Sequence, residues 1–396
     1  MRIFSRESIQ PDVLRLAVAQ ALGGANSAII FATGAIVGEM FAPNKALATM
    51  PVSIFVVGMA LGTLPTGAVA QRHGRRTAFM IGTTFGVLTG LLAAIAVLSG
   101  SFALFCAATF FGGIYAAVVQ SFRFAAADCV GFERRARALS AVMAGGVFAG
   151  VLGPQVVNFT MNLWEPYLFA VTYLAQGAIA LLSMAVLAGI KIPPPARSEA
   201  EDGRPLLEIA RQPRFIAAAI CGTVSYVMMN LVMTSAPLAM KLCGLPLTAS
   251  NLGLQWHVVS MYGPSFFTGR LITRFGAPAI VVTGLLLIAA AAGVGLTGID
   301  VPHFWLALIL LGVGWNFGFV GASTLVLECH RPEERAKVQS FNDFIVFGSM
   351  VIGSFASGGL LTAYGWSAIC LVTLPPLAFA LLTLGWARSQ AMRVSA

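Results

Sequence analysis

The sequence predicts an all-α polytopic membrane protein of twelve transmembrane helices in two pseudo-symmetric six-helix halves. Three observations carry this. Of 396 residues, 58% are hydrophobic and 10% charged, and the mean hydropathy is +0.86, outside the usual composition of a soluble domain. Apolar stretches of roughly twenty residues, the length that crosses a hydrocarbon core, recur along the whole chain. Basic residues gather in alternate connectors, as expected for loops retained in the cytoplasm.

The spans of the first half fall near 13–38, 46–70, 77–98, 101–125, 138–161 and 166–190, and those of the second near 214–240, 248–269, 276–297, 303–327, 341–362 and 366–387. The connectors Arg72 to Arg76, Arg123 to Arg137, Lys191 to Arg214, Arg270 to Arg274 and Arg331 to Lys337, with both tails and Arg15 at the very start of the first span, hold 22 of the 24 basic residues. Only Lys45 and Lys241 fall outside them. This asymmetry places both termini in the cytoplasm and requires an even number of spans. The membrane expected is the inner (cytoplasmic) one. Short strands of alternating polarity, which a membrane barrel would need, are absent, and a continuous helix is the other structure that satisfies its own backbone in lipid.

The net charge of +9 is thereby a topology signal and a contact with anionic lipid, with no nucleic acid implied. The first apolar run is too long for a cleavable signal peptide. Six cysteines lack metal-type spacing, and Cys129 and Cys329 face the reducing side, so neither metal nor disulfide framework is expected. No cofactor is expected, and the chain is read as a monomer.

The least apolar segment, KIPPPARSEAEDGRPLLEIARQPRF from Lys191, reads as a cytoplasmic linker. It divides the chain into a first half (1–190), a linker (191–213) and a second half (214–396). The halves repeat. DCVGFERRARALS from Asp128 and ECHRPEERAKVQS from Glu328 align without a gap, sharing Cys129/Cys329, Glu133/Glu333, Arg135/Arg335, Ala136/Ala336 and Ser140/Ser340, each pair 200 positions apart. GAVAQRHGRRTAF and GRLITRFGAPAIV follow nearly the same offset, matching Gly67, Arg72 and Gly74 to Gly269, Arg274 and Gly276.

On these motifs the chain resembles the major facilitator superfamily over nearly all its length. The family pattern between its second and third helices is matched by Gly67, Arg72, Gly74, Arg75 and Arg76, with Gln71 in place of the family's Asp. The resemblance implies a secondary transporter that works by alternating access. It implies a gate on the cytoplasmic side built from these residues and from Gly269, Arg274 and Gly276. Ion pairs of Arg123 with Asp128 and of Arg335 with Glu328 are expected at the bases of the fourth and tenth spans. Gln71 weakens the charged latch, although an amide can still accept bonds from a helix end. The alternative reading of the arginines is a pure topology anchor. The family's fourth-helix arginine has no counterpart in AATFFGGIYAAVVQ. The exporter pattern of the fifth helix is partly met by Gly146, Gly150, Gly153 and Pro154.

Ionisable groups deep in a membrane are functional candidates by default. His257, beside Trp256 in the eighth span, is the preferred proton or substrate contact, against the alternative of a hydrogen bond that stabilises the bundle. Asp343, one turn into the eleventh span, reads either as a helix cap beside the gate or as a functional acid. Gln20 and Asn26 in the first span, Gln120 in the fourth, Tyr226 and Asn230 in the seventh and Asn316 in the tenth add neutral polar contacts. With Tyr115 and Trp315 they describe an aromatic cavity suited to a small molecule. No Lys or Arg is expected at depth, which argues against phosphate esters and dicarboxylates. A neutral, zwitterionic or weakly ionised organic solute remains, such as a ring-bearing vitamin of riboflavin type, with protons as the coupling ion. A drug or metabolite efflux antiporter and a non-transporting receptor or scaffold of the same fold are the alternatives. No metal cluster, nucleophile–base pair or phosphate-cradling loop supports an enzyme.

Overall fold

The computed structural model describes residues 10–44, 47–192 and 203–395, so Lys45 and the proline-rich part of the linker lie outside it. The helices are α1 (Pro11–Phe41), α2 (Met50–His73), α3 (Arg75–Ser99), α4 (Phe102–Asp128), α5 (Arg135–Thr160), α6 (Ala170–Ala188), the short linker helix α7 (Leu206–Ala210), α8 (Pro213–Leu242), α9 (Leu247–Tyr262), α10 (Ser265–Phe275), α11 (Ala277–Thr297), α12 (Val301–Leu327) and α13 (Arg335–Ser395). Ten segments of the described chain are long and apolar enough to cross a membrane. The other two expected spans are present in altered form.

The eighth expected span is broken into α9 and α10 at Gly263 and Pro264. Proline has no N–H to continue the ladder. Asn316 of α12 repairs the break: its amide nitrogen donates to the Met261 carbonyl and the Ser265 hydroxyl, each at 2.6 Å, and its oxygen accepts from Thr268 Oγ1 at 2.7 Å. The eleventh and twelfth expected spans run on as α13, divided where Gly365 adopts φ 77°. A residue with a Cβ rarely adopts that conformation.

Small residues set the packing within each half, which suits helices in lipid, where close van der Waals contact must hold them together. A Cβ on Gly113 of α4 would lie 2.0 Å from the Phe55 carbonyl oxygen of α2, and one on Gly90 of α3 would lie 2.5 Å from the Gly177 nitrogen of α6. In the second half, Gly284 of α11 stands equally close to Gly318 of α12. The sharp turns that begin α3 and α11 are made by Gly74 (φ 86°) and Gly276 (φ 83°), the repeat partners found in the sequence.

Candidate functional site

The two halves meet at the end of the bundle that carries the basic connectors. Gly67 of α2 faces the start of α13, where an added Cβ would sit 1.9 Å from Ser340 Oγ. Gly269 of α10 faces the start of α5, where it would sit 2.7 Å from Arg137 Cα and 2.9 Å from Ser140 Cβ. Ser140 Oγ also accepts from the Gly269 N–H at 3.0 Å and donates to the Ser265 carbonyl at 2.5 Å. The residues paired by the internal repeat, Gly67 with Gly269 and Ser140 with Ser340, therefore form two crossed contacts that seal this end.

Charged groups reinforce the seal, in pairings that differ from the expected ones. Arg123 does not bond Asp128. It lies wholly buried at the base of α4 and its Nη2 donates to Asp343 of α13 at 2.5 Å, from one half to the other. Its Nε donates to Ser323 Oγ at 3.3 Å, a contact between positions 200 apart in the repeat, and its Nη1 to the Gln120 carbonyl. The guanidinium lies 4.3 Å from the Phe124 ring centre and 4.7 Å from that of Phe319. Arg123 is thus fully buried at the base of α4, neutralised by an acid from the opposite half. Asp343 is that partner and not a free helix cap; Asn342 also donates to it at 3.2 Å.

Asp128 instead accepts from Arg75 at 2.7 Å, with Arg335 at 3.9 Å. Glu328 meets Arg214 at 3.4 Å rather than Arg335. Arg75 also donates to Gln339 of α13, a further link between the halves. Of the basic cluster that opens α3 only Arg75 is buried; Arg72 and Arg76 are exposed, as is Arg274, which lies over the Phe275 ring. Gln71 is half-buried and takes part in none of the described side-chain bonds. Thr63, Thr66, Gly67, Arg75, Gln339 and Asp343 line a cavity between the halves with room for about one water molecule.

Just beyond Arg123 stands an aromatic cluster. Tyr226 of α8 meets Trp315, Phe319 and Phe347 edge-on at 5.5, 5.0 and 5.4 Å between ring centres. Trp315 stacks on Phe319 at 5.3 Å and meets Tyr262 edge-on at 5.5 Å. Tyr262 reaches the first half, since a Cβ on Gly146 of α5 would lie 2.2 Å from its ring. Asn230 lies one helical turn beyond Tyr226 on the same face of α8. Its Nδ2 and Trp315 Nε1 are buried donors without a partner among the described residues. Gln20 Oε1 and Gln120 Oε1 are buried acceptors in the same condition.

The other sequence candidates lie elsewhere. Tyr115 is wedged against Gly23 and Gly86 inside the first half. Asn26 belongs to the α1–α6 contact, where Gln176 donates to its carbonyl at 3.2 Å. Asn316 is consumed by the α9–α10 break. His257 is fully buried against α12, its Nδ1 donating to the Leu308 carbonyl at 2.7 Å. Trp256 is 47% exposed and shares its stripe with exposed Leu252, an apolar surface that suits lipid. Tyr262, Phe319, Phe347, Ser323 and Gln339 were not singled out in the sequence. Ser323 alone carried a signal, its 200-residue offset from Arg123.

A bundle of two repeated halves that close on each other at one end is the architecture of a membrane carrier. Residues 16–263 and 263–393 match the profile of the Major Facilitator Superfamily, and the chain belongs to that family of transporters. It is 45% identical over 376 residues to the riboflavin transporter RfnT of Brucella anthropi, covering 94% of each chain. It is 28% identical to the MFS-type transporter YdeG of Bacillus subtilis, over 90% of this chain and 87% of that one. Among solved structures, the proton:xylose symporter XylE superposes with a TM-score of 0.81 at 15% identity, covering 96% of this chain and 95% of that one. A fucose:proton symporter, FucP, does so at 0.76 and 14%, covering 96% and 99%.

Proposed function

We propose that the protein carries riboflavin, or a flat heteroaromatic solute of that kind, across the bacterial inner membrane by alternating access, with both termini and the basic gate on the cytoplasmic side. The conformation described here is then the one sealed toward the cytoplasm. The observation that supports the substrate class is the aromatic cluster of Tyr226, Tyr262, Trp315, Phe319 and Phe347 above the Arg123–Asp343 pair. Rings give a planar substrate stacking and edge contacts, worth about 0.5–1.5 kcal/mol each beyond burial. The orphaned donors of Trp315 and Asn230 suit ring carbonyl acceptors. Arg123 is already neutralised by Asp343, so a phosphorylated flavin finds no free cation. The high identity to a riboflavin transporter over nearly the full chain supports the same reading.

Proteoliposomes loaded with radiolabelled riboflavin inside or outside test this directly, with and without an imposed proton gradient. Saturable flux that riboflavin but not its phosphate ester inhibits is the expected result; absence of flux in both directions sinks the proposal. Trp315→Leu is expected to raise the half-saturating concentration about tenfold, from the loss of about 1.4 kcal/mol of ring contact. Cysteines placed at Glu165 and Asp300 are expected to react with an impermeant reagent from outside the cell, and one at Arg76 is not. The reverse pattern overturns the orientation.

A further inference from the structure

The basic gate contains a hydrogen-bond chain that the ion pairs do not account for. Arg75 is a donor only, so its bond to Gln339 turns the Gln339 carbonyl oxygen toward Arg75. The amide nitrogen of Gln339 then faces His330, at 3.1 Å from its Nε2. An NH2 group can only donate, so His330 Nε2 must be bare. The ring proton accordingly sits on Nδ1, where it donates to the Arg331 carbonyl at 3.1 Å. The chain Arg75, Gln339, His330 is consistent only with a neutral imidazole.

We propose that His330 is a proton-binding site that controls this gate, and that a proton taken up at its Nε2 from the cytoplasm releases the bond between Arg75 of the first half and Gln339 of the second. A protonated ring presents N–H to the NH2 of Gln339. To offer its oxygen to the protonated ring the amide must rotate, which sets its NH2 against Arg75 and breaks the bond between the halves. His330 is half-buried in the loop before α13, so it lies outside the membrane spans and within reach of protons from the basic side.

The groups around the ring agree with this direction. Burial is the largest influence and holds His330 below the ordinary histidine value; Arg135 at the start of α5 and Arg75 at the start of α3 act in the same sense. The Arg331 carbonyl and Asp128 at the end of α4 oppose them. The closed gate therefore binds the proton more weakly than an open one, in which the ring is solvated. By linkage, preference for the closed gate is complete above the ordinary histidine value and declines as pH falls toward the lowered one. The coupling is a difference in proton affinity between two states of one gate.

The inference uses the cytoplasmic orientation given above, but its test needs no substrate, so it stands or falls apart from riboflavin transport. Spin labels on cysteines at Arg76 and Arg274, both exposed and on opposite halves, report the gate distance in full-length protein otherwise free of cysteine. Between pH 7.5 and 5.5 the ratio of closed to open populations is expected to fall severalfold, at most about tenfold, the limit for one site that titrates at the ordinary histidine value in the open gate. His330→Gln retains an acceptor for Gln339 and is expected to remove the pH response. Gln339→Glu supplies a carboxylate that accepts from both Arg75 and a protonated His330 without turning, so acid is expected no longer to release the gate. A flat profile in the unmodified protein, an unchanged response in His330→Gln, or acid opening that persists in Gln339→Glu overturns the proposal.

Discussion

Arg123 and Asp343 lie 220 residues apart, on opposite halves, yet meet at 2.5 Å with the arginine fully buried and the acid nearly so. Neither charge can remain buried alone without a large desolvation cost. Any movement that opens the basic end must separate them, so the pair sets part of the barrier to opening.

Asp343→Asn keeps the shape of the acid but leaves Arg123 an uncompensated charge. Breaking one side of a buried pair costs about 3–5 kcal/mol. Transport is expected to fall more than a hundredfold, with the gate distance shifted to the open form. The double variant Arg123→Met, Asp343→Leu removes both charges and is expected to restore abundance in the membrane while remaining shut. Quantitative immunoblotting with accessibility of a thiol placed in the gate checks both outcomes.

The crossed glycine contacts predict an asymmetry. Gly67 opposes the Ser340 side chain, both its Oγ and the Cβ that rotation does not move, whereas Gly269 opposes the Arg137 Cα and the Ala136 carbonyl, which are backbone. Gly67→Ala and Gly269→Ala are each expected to prevent full closure and reduce transport more than tenfold. The asymmetry lies in rescue: Ser340→Gly removes the opposing atoms and should restore the Gly67 variant, whereas Ser140→Gly leaves the backbone opposite Gly269 in place and should not restore the Gly269 variant. Rescue of both, or of neither, would show that these contacts do not limit closure.

His257 separates a structural histidine from a functional one. Its Nδ1–H joins α9 to α12 through the Leu308 carbonyl, and the ring is fully buried, its Nε2 without a partner among the described residues. His257→Leu is expected to lower stability by about 1–3 kcal/mol, the cost of leaving a buried carbonyl unpaired. In detergent this appears as a fall of several degrees in Tm. His257→Gln should restore most of it, with half-saturation and pH profile unchanged. A lost response to a proton gradient in His257→Gln would return the residue to the transport path.

What the sequence made legible follows from properties that repeat locally. Span length and basic loops are local, and both the Gly67/Gly269 and Ser140/Ser340 pairs were visible because evolution of the two halves left them at nearly one offset. The partner of Arg123 was not legible, because Asp343 has apolar Met143 as its repeat counterpart and only the approach of the halves joins them. Asn316 and His257 show a second limit. A polar side chain at central depth reads alike whether its helix turns it to a cavity or to a neighbouring backbone, and one sequence holds no record of that rotation. The break at Pro264 was not foreseen, since the apolar pattern reads as one continuous eighth span over 248–269, and the residue that repairs it lies in another helix.

The linker offers the last test. Arg204 grips the fully buried Glu334 through Nε and Nη2, each at 2.8 Å, and its backbone N–H adds a third bond at 2.9 Å. Lys337 closes the clasp by donating to the Arg204 carbonyl at 2.6 Å. The Arg204 side-chain bonds hold Glu334 at about 2, below the ordinary carboxylate value, against the opposing effect of burial. A depressed value means that this contribution is fully present above the ordinary glutamate range and is lost as pH falls through that range toward about 2. Between pH 5 and 8 the clasp should therefore be insensitive to pH. Arg204→Ala leaves Glu334 buried without its main partner, so its value rises and the loop before α13 loosens. Protection of residues 329–337 from amide exchange is expected to drop, with a Tm that now falls as pH rises from 4 to 7, because the orphaned carboxylate is tolerated only when protonated. Unchanged exchange in that loop would show that the linker rests on the second half without holding it.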